Sequence, residues 1–92
     1  MVRSFHCKET EKLFRRQQSH KFGNVGNVAR RKLRMLDDAE KLEDMAAVPG
    51  NRLETLDGDR KGQHSIRIDD QWRLCFVWRD GAAEGVEIVD YH

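Results

Sequence analysis

No apolar run in this sequence approaches the roughly 20 residues needed to span a bilayer, so membrane partners are not expected. Arg3, His6 and Lys8 interrupt the opening stretch, so it does not read as a signal peptide. Proline occurs once, at Pro49, and no segment is low in complexity, repeated or linker-like. There are two cysteines, Cys7 and Cys75, far apart and without a CxxC pair. A cytoplasmic protein with two reduced thiols is the simplest reading, and a disulfide between them stays open. His6, His20 and His64 have no metal-ligand spacing with those cysteines. The glycine-bearing stretch 57–62 lacks the Gly-Lys-Ser/Thr of a phosphate-binding P-loop. No metal or cofactor is expected.

What is present is a chain of 92 residues, 38% hydrophobic and 36% charged, which is one small domain spanning 1–92. The net charge of +1 hides an asymmetry. Residues 1–34 carry ten Lys/Arg against two Glu, a net of +8; residues 35–59 carry two basic against eight acidic, a net of −6. The remainder carries five basic against six acidic, a net of −1. A basic block of this density suits a polyanionic partner such as RNA or an acidic protein, although a solvated helix face has the same composition.

Apolar spacing predicts a helix over 9–18 with Leu13 and Phe14 inward. A second helical stretch follows Val28, Ala29, Leu33, Leu36, Ala39, Leu42 and Met45, divided at Asp37-Asp38 with Asp38 as an N-cap. Pro49-Gly50 ends it. The period then becomes two. Strands are expected at 2–5, 52–56, 63–69, 72–79 and 86–91, with Asp80-Gly81 as a hairpin turn. His64, Ile66 and Ile68 should face one way and Ser65 and Arg67 the other; Trp72, Leu74, Phe76 and Trp78 alternate with Arg73, Cys75, Val77 and Arg79. Early helices followed by short strands joined by tight turns give an α+β fold, helices packed on a small, mainly antiparallel sheet.

Three features bear on chemistry. Arg67 and Arg73 sit inside apolar strand segments, where a cation needs a reason. That reason is either a surface carboxylate such as Glu87 or Asp90, or an anionic ligand. The last residues, Val89-Asp90-Tyr91-His92, gather a carboxylate, a phenol and an imidazole after a strand. Terminal residues usually fray, yet Val86, Ile88 and Val89 should anchor this strand almost to its end. An imidazole suits proton transfer near neutral pH, and a tyrosine stacks on bases of single-stranded RNA. Arginines opposite a carboxylate and an imidazole are what phosphodiester cleavage would use.

Leu56-Asp57-Gly58-Asp59-Arg60-Lys61-Gly62-Gln63-His64-Ser65-Ile66-Arg67-Ile68, Gln71-Trp72-Arg73-Leu74-Cys75-Phe76 and Val89-Asp90-Tyr91-His92 together resemble the HigB-type toxins of the RelE superfamily. Arg3-Ser4-Phe5, Arg30-Arg31-Lys32-Leu33 and Pro49-Gly50-Asn51-Arg52-Leu53 extend the resemblance over nearly the whole chain. The resemblance implies a type II toxin that cleaves mRNA in the ribosomal decoding site, with a helix-turn-helix antitoxin (HigA-like) as partner and operator DNA reached only through that antitoxin. It implies that Arg73 binds the phosphate and that Asp90, Tyr91 and His92 are catalytic. It also places Arg60, Lys61 and Arg67 among RNA-binding positions. Where some relatives carry a histidine and a lysine, this chain has Glu54 and Asp57, which makes Glu54 a candidate general base or leaves a weaker site. A ParE-like toxin acting on gyrase, and a catalytically decayed RNA- or antitoxin-binding module, are the competing expectations.

Overall fold

The computed structural model describes residues 1–17, 19, 21–22 and 25–90. Helix α1, Lys8–Phe14, is short. Glu9 and Glu11 in its first turn complement the positive end of the helix dipole. Thr10 and Leu13 are its buried residues, and the Thr10 hydroxyl accepts the amide of Ile88 at 3.0 Å, fastening the helix to the sheet. The chain leaves α1 at Arg16, in the left-handed region at φ 60°. Two side chains of the next helix reach the carbonyls at this end: Arg30 Nε donates to Leu13 O at 3.3 Å, beside the Arg16 amide, and Arg34 Nη2 donates to Phe14 O at 3.0 Å.

Helix α2, Gly26–Asp38, buries Ala29, Leu33 and Leu36, the i, i+4, i+7 stripe of an amphipathic helix. The expected break falls later than Asp38. α2 runs through that residue, and α3 is only Leu42–Ala46. Asp38 is not the cap: the Asp44 carboxylate reaches back to accept the amides of Glu40 and Lys41 at 3.0 and 3.1 Å. Asp37 accepts the amide of Val2 at 2.8 Å, tying the chain start to the end of α2.

The sheet is an antiparallel meander in the order β1 (Glu54–Thr55), β2 (His64–Arg67), β3 (Trp72–Arg79), β4 (Ala82–Asp90). The first of these strands is shorter than the expected 52–56, because Arg52 sits in the left-handed region at φ 48°. Asp80 and Gly81, at φ 52° and 74°, make the two-residue turn whose twist matches the strands it joins. An extra residue on β4 breaks the register between Cys75↔Glu87 and Val77↔Glu84, and Gly85 at φ 59° absorbs it. Residues 2–5 do not form a strand of the ladder. They run parallel to β4 with bridges at Val2↔Ala83 and Phe5↔Val86, while the Ser4 hydroxyl accepts the Gly85 amide at 2.9 Å beside the bulge. This segment covers an otherwise open sheet edge.

Ile66, Ile68, Leu74, Phe76, Val86 and Ile88 line one sheet face and pack with Leu13, Leu33, Leu36 and Met45 of the helices. Phe22 closes the end of this core edge-to-face on Trp72, ring centroids 5.3 Å apart. Among the described residues no helix is long and apolar enough to cross a membrane. Leu33 is fully buried between the layers. Leu33→Ala should lower stability by about 2–5 kcal/mol, measured by urea denaturation; a loss under 1 kcal/mol would show the helix layer to be loosely packed.

Candidate functional site

The face away from the helices is not apolar. Register sets two rows across it. Glu54, Ser65, Cys75 and Glu87 are successive cross-strand partners from β1 to β4. Two residues along, Arg67, Arg73 and Val89 form the next row, about 7 Å away by strand rise. Arg67 and Arg73 therefore stand directly opposite each other. Like charges in that position are destabilising unless something compensates.

Arg73 is compensated by backbone and hydroxyl groups. It is buried, at 6% exposure. Its Nε donates to Ser65 Oγ at 2.8 Å and its Nη2 to Arg52 O at 2.7 Å. Among the described residues its carboxylate neighbour is Glu54, with Oε1 at 3.7 Å from Nη2, rather than the Glu87 that sequence spacing offered. Glu54 is half exposed, so this pair contributes little to stability. Arg67 is more accessible and pairs with the exposed Asp70.

Glu87 is taken by Arg60. Arg60 lies in the 3-10 turn Gly58–Arg60, and its Nη1 donates to Glu87 Oε1 at 2.7 Å and Gln63 Oε1 at 3.1 Å. Hydrogen bonding to Glu87 raises the guanidinium pKa. Arg60 thus latches the 57–62 loop onto the face, while its neighbour Lys61 is exposed. Beneath the latch Cys75 is fully buried, and burial raises its thiol pKa. Cys7 is also a free thiol. Burial opposes its ionisation, but hydrogen bonds from Thr10 and Glu9, with Lys21 nearby, hold its pKa below the usual value.

Asp90 closes β4 opposite Trp72, where its Oδ2 accepts Gln71 Nε2 at 3.1 Å. The pleat directs it to the Trp72 face, one residue beyond the Arg73 row, at the end of the sheet where Arg67 and Arg73 stand. Tyr91 and His92, which sequence reasoning also singled out, lie outside the described residues. The structure therefore gathers Glu54, Arg60, Arg67 and Arg73 on one face and sets Asp90 at its rim. Sequence reasoning missed Ser65 as the group holding Arg73, and it offered Glu87 to the strand arginines Arg67 and Arg73 where the structure gives it to Arg60. The signal for Ser65 was present: it is a polar residue in step with Arg73 on period-two strands.

A small antiparallel sheet with helices on one face is an α+β fold shared with solved structures. YoeB of the Staphylococcus aureus YoeB–YefM complex aligns over 100% of this chain and 98% of its own, at TM-score 0.62 and 19% identity. Escherichia coli YafQ aligns over 98% and 93%, at TM-score 0.64 and 12% identity. Identities this low establish the fold alone. The sequence narrows it. A family model described as the RelE-like toxin of the type II toxin–antitoxin system HigB matches residues 3–92. Toxin HigB-1 of Vibrio cholerae serotype O1 is 39% identical over 85 residues, 90% of each chain. This chain belongs to the HigB-like family of type II RelE-like toxins.

If the Arg60–Glu87 latch covers the face, iodoacetamide at neutral pH should modify Cys7 and spare Cys75, read by peptide mass spectrometry. Glu87→Ala should speed Cys75 labelling roughly fivefold, the equivalent of about 1 kcal/mol. Equal labelling of both thiols in the native wild type would contradict the latch.

Proposed function

We propose that this protein is an endoribonuclease that cuts mRNA on the ribosome and is held in check by a helix-turn-helix antitoxin of the HigA type. The observation that carries the reading is the Arg67–Arg73 pair. Two guanidiniums opposed across β2 and β3, one held by Ser65 and Arg52 O and the other beside exposed Asp70, concentrate positive charge at one spot and suit a phosphate. They stand at the end of the sheet from which the chain passes through Asp90 to Tyr91 and His92.

The reaction is a transesterification. The 2′-hydroxyl attacks the adjacent phosphorus and the P–O5′ bond breaks. One group takes the 2′-hydroxyl proton and another returns a proton to the 5′-oxygen. The products are a 2′,3′-cyclic phosphate and a 5′-hydroxyl. The need for a 2′-hydroxyl confines the activity to RNA. Arg73, held by Ser65 and Arg52 O, supplies a fixed positive charge that does not reorganise as the pentacoordinate phosphate forms. Arg67 and Lys61, both more accessible, bind the strand. Arg60 keeps the loop in place beside them. Glu54 and His92 are the proton-transfer pair, Asp90 orients or charges the imidazole, and Tyr91 stacks on a base. Arginine neutralises the developing charge, so no step calls for a metal. The decoding centre would align 2′-hydroxyl and phosphate, a proximity effect worth up to ~7–11 kcal/mol.

YoeB in the structural comparison was solved with YefM, and a protein partner of that kind fits the acidic–basic asymmetry here. A gyrase-directed toxin would have no use for an Asp-Tyr-His end.

His92→Ala should fold normally and cut about 10²–10⁴ times more slowly. Arg73→Ala should cost ~10²–10³ in rate and also destabilise, since Ser65 Oγ and Arg52 O lose their donor. Circular dichroism melting and mRNA cleavage in cells lacking antitoxin separate the two effects. A folded His92→Ala variant cutting at wild-type rate would remove His92 from the mechanism. Growth arrest by both variants with mRNA intact would favour the gyrase reading.

A further inference from the structure

A second charged feature adjoins the first. Between α2 and the start of the sheet lies a cleft of about 300 Å³. Arg31, Lys32 and Arg67 supply its charge, and Val28, Met35 and Ile68 its apolar wall. No carboxylate is among the lining residues described. Two of these residues, Lys32 and Arg67, are tied to Asn51, whose side chain is fully buried. Its Oδ1 accepts Lys32 Nζ, its Nδ2 donates to Met45 O at 3.0 Å, and its backbone carbonyl accepts the Arg67 amide at 2.6 Å. One buried asparagine therefore fixes both the lysine from the helix and the arginine from the strand. Partial burial, then the charges of Arg31 and Arg67, push the Lys32 pKa down. Arg67 has exposed Asp70 at its flank and Lys32 has the Asn51 oxygen, but the cleft wall itself carries three cations and no carboxylate, a setting that suits an anion.

We propose that the Arg31–Lys32–Arg67 cleft is a second phosphate site, which takes the sugar–phosphate backbone of the RNA strand next to the scissile position. This rests on the RNA-cleaving reading above. The link is Arg67, which lines the cleft and also stands opposite Arg73 on the sheet face. A strand whose reacting phosphate lies over Arg73 passes across Arg67 onto the α2 surface. Two guanidiniums and an ammonium converging on so small a volume match a compact tetrahedral anion, which arginine holds in bidentate fashion. Such contacts read no base; they set the register of the strand. The cleft thereby gives part of the basic block in residues 1–34 a defined task.

The test is a double substitution, Arg31→Gln with Lys32→Gln, in the full chain. Glutamine at position 32 retains an amide that can donate to Asn51, and circular dichroism melting checks that the variant folds. Binding to a single-stranded, fully 2′-O-methylated RNA, which cannot be cut, is followed by fluorescence anisotropy over a salt series. Two lost phosphate contacts should reduce the slope of log affinity against log salt by about 1.4. An unchanged slope and affinity in the folded variant would overturn the cleft, as would wild-type protein that binds no RNA. Loss of inorganic-phosphate binding in the variant with no change in its RNA slope would make this a free-anion site and overturn the RNA assignment. Competition by polyglutamate as strong as by RNA would reassign the cleft to an acidic protein partner. Cleavage by the Arg73 and His92 variants is scored separately, so a failed cleft and a failed nuclease reading give different results.

Discussion

The register between β2 and β3 is the constraint on which the rest of this molecule depends. Because side chains alternate, a slip of one residue would send Arg73 into the helix-facing core and bring Leu74 to the charged face. Two devices fix the register. Ile66, Ile68, Leu74 and Phe76 must all meet the helices at once. At the turn between the strands, the Asp69 carboxylate accepts the amides of Gln71 and Trp72 at 2.9 and 2.8 Å, setting where β3 begins. With the register set, the opposition of Arg67 and Arg73 follows as a geometric necessity, and its electrostatic cost is offset by Asp70 beside Arg67 and by Ser65 Oγ and Arg52 O around Arg73.

The two faces of the sheet divide the work. The helix side supplies stability through close-packed aliphatic and aromatic residues. The other side is small, charged and covered by loops. Ser65 and Arg52 O hold Arg73, Glu87 holds Arg60, and the buried Cys75 fills the space between them. Placing charged groups on loop-covered sheet rather than on loops alone limits their motion, which favours electrostatic preorganisation. The same logic extends to Asn51, whose buried amide couples α3, α2 and β2.

Much of this was legible in the sequence. Alternation over 63–79 identified which residues face the helices, and Asp80-Gly81 identified the tight turn. The Arg73–Glu54 proximity and the Arg60–Glu87 pair were not legible. They join residues 19 and 27 positions apart through loops whose paths no local pattern specifies. Asn51 had no signal, since one polar residue after Pro49-Gly50 reads as an ordinary loop. The helix break was misjudged because Asp37 and Asp38 have the composition of a cap, while Asp37 is engaged with the chain start and Asp44 caps from inside the next helix. The proposed Asp90-Tyr91-His92 triplet was visible only as a motif; the chemistry proposed for it came from residue types and from likeness to a family.

The central claim is RNA cleavage by 2′-hydroxyl attack in the company of the ribosome. The direct measurement is to incubate purified protein with a defined mRNA, alone and on translating ribosomes, and to determine both the cut positions and the chemistry of the new ends. The account predicts cuts only with ribosomes, each leaving a 2′,3′-cyclic phosphate and a 5′-hydroxyl. Intact mRNA under conditions where the protein still arrests growth, or ends bearing a 5′-phosphate, would contradict it.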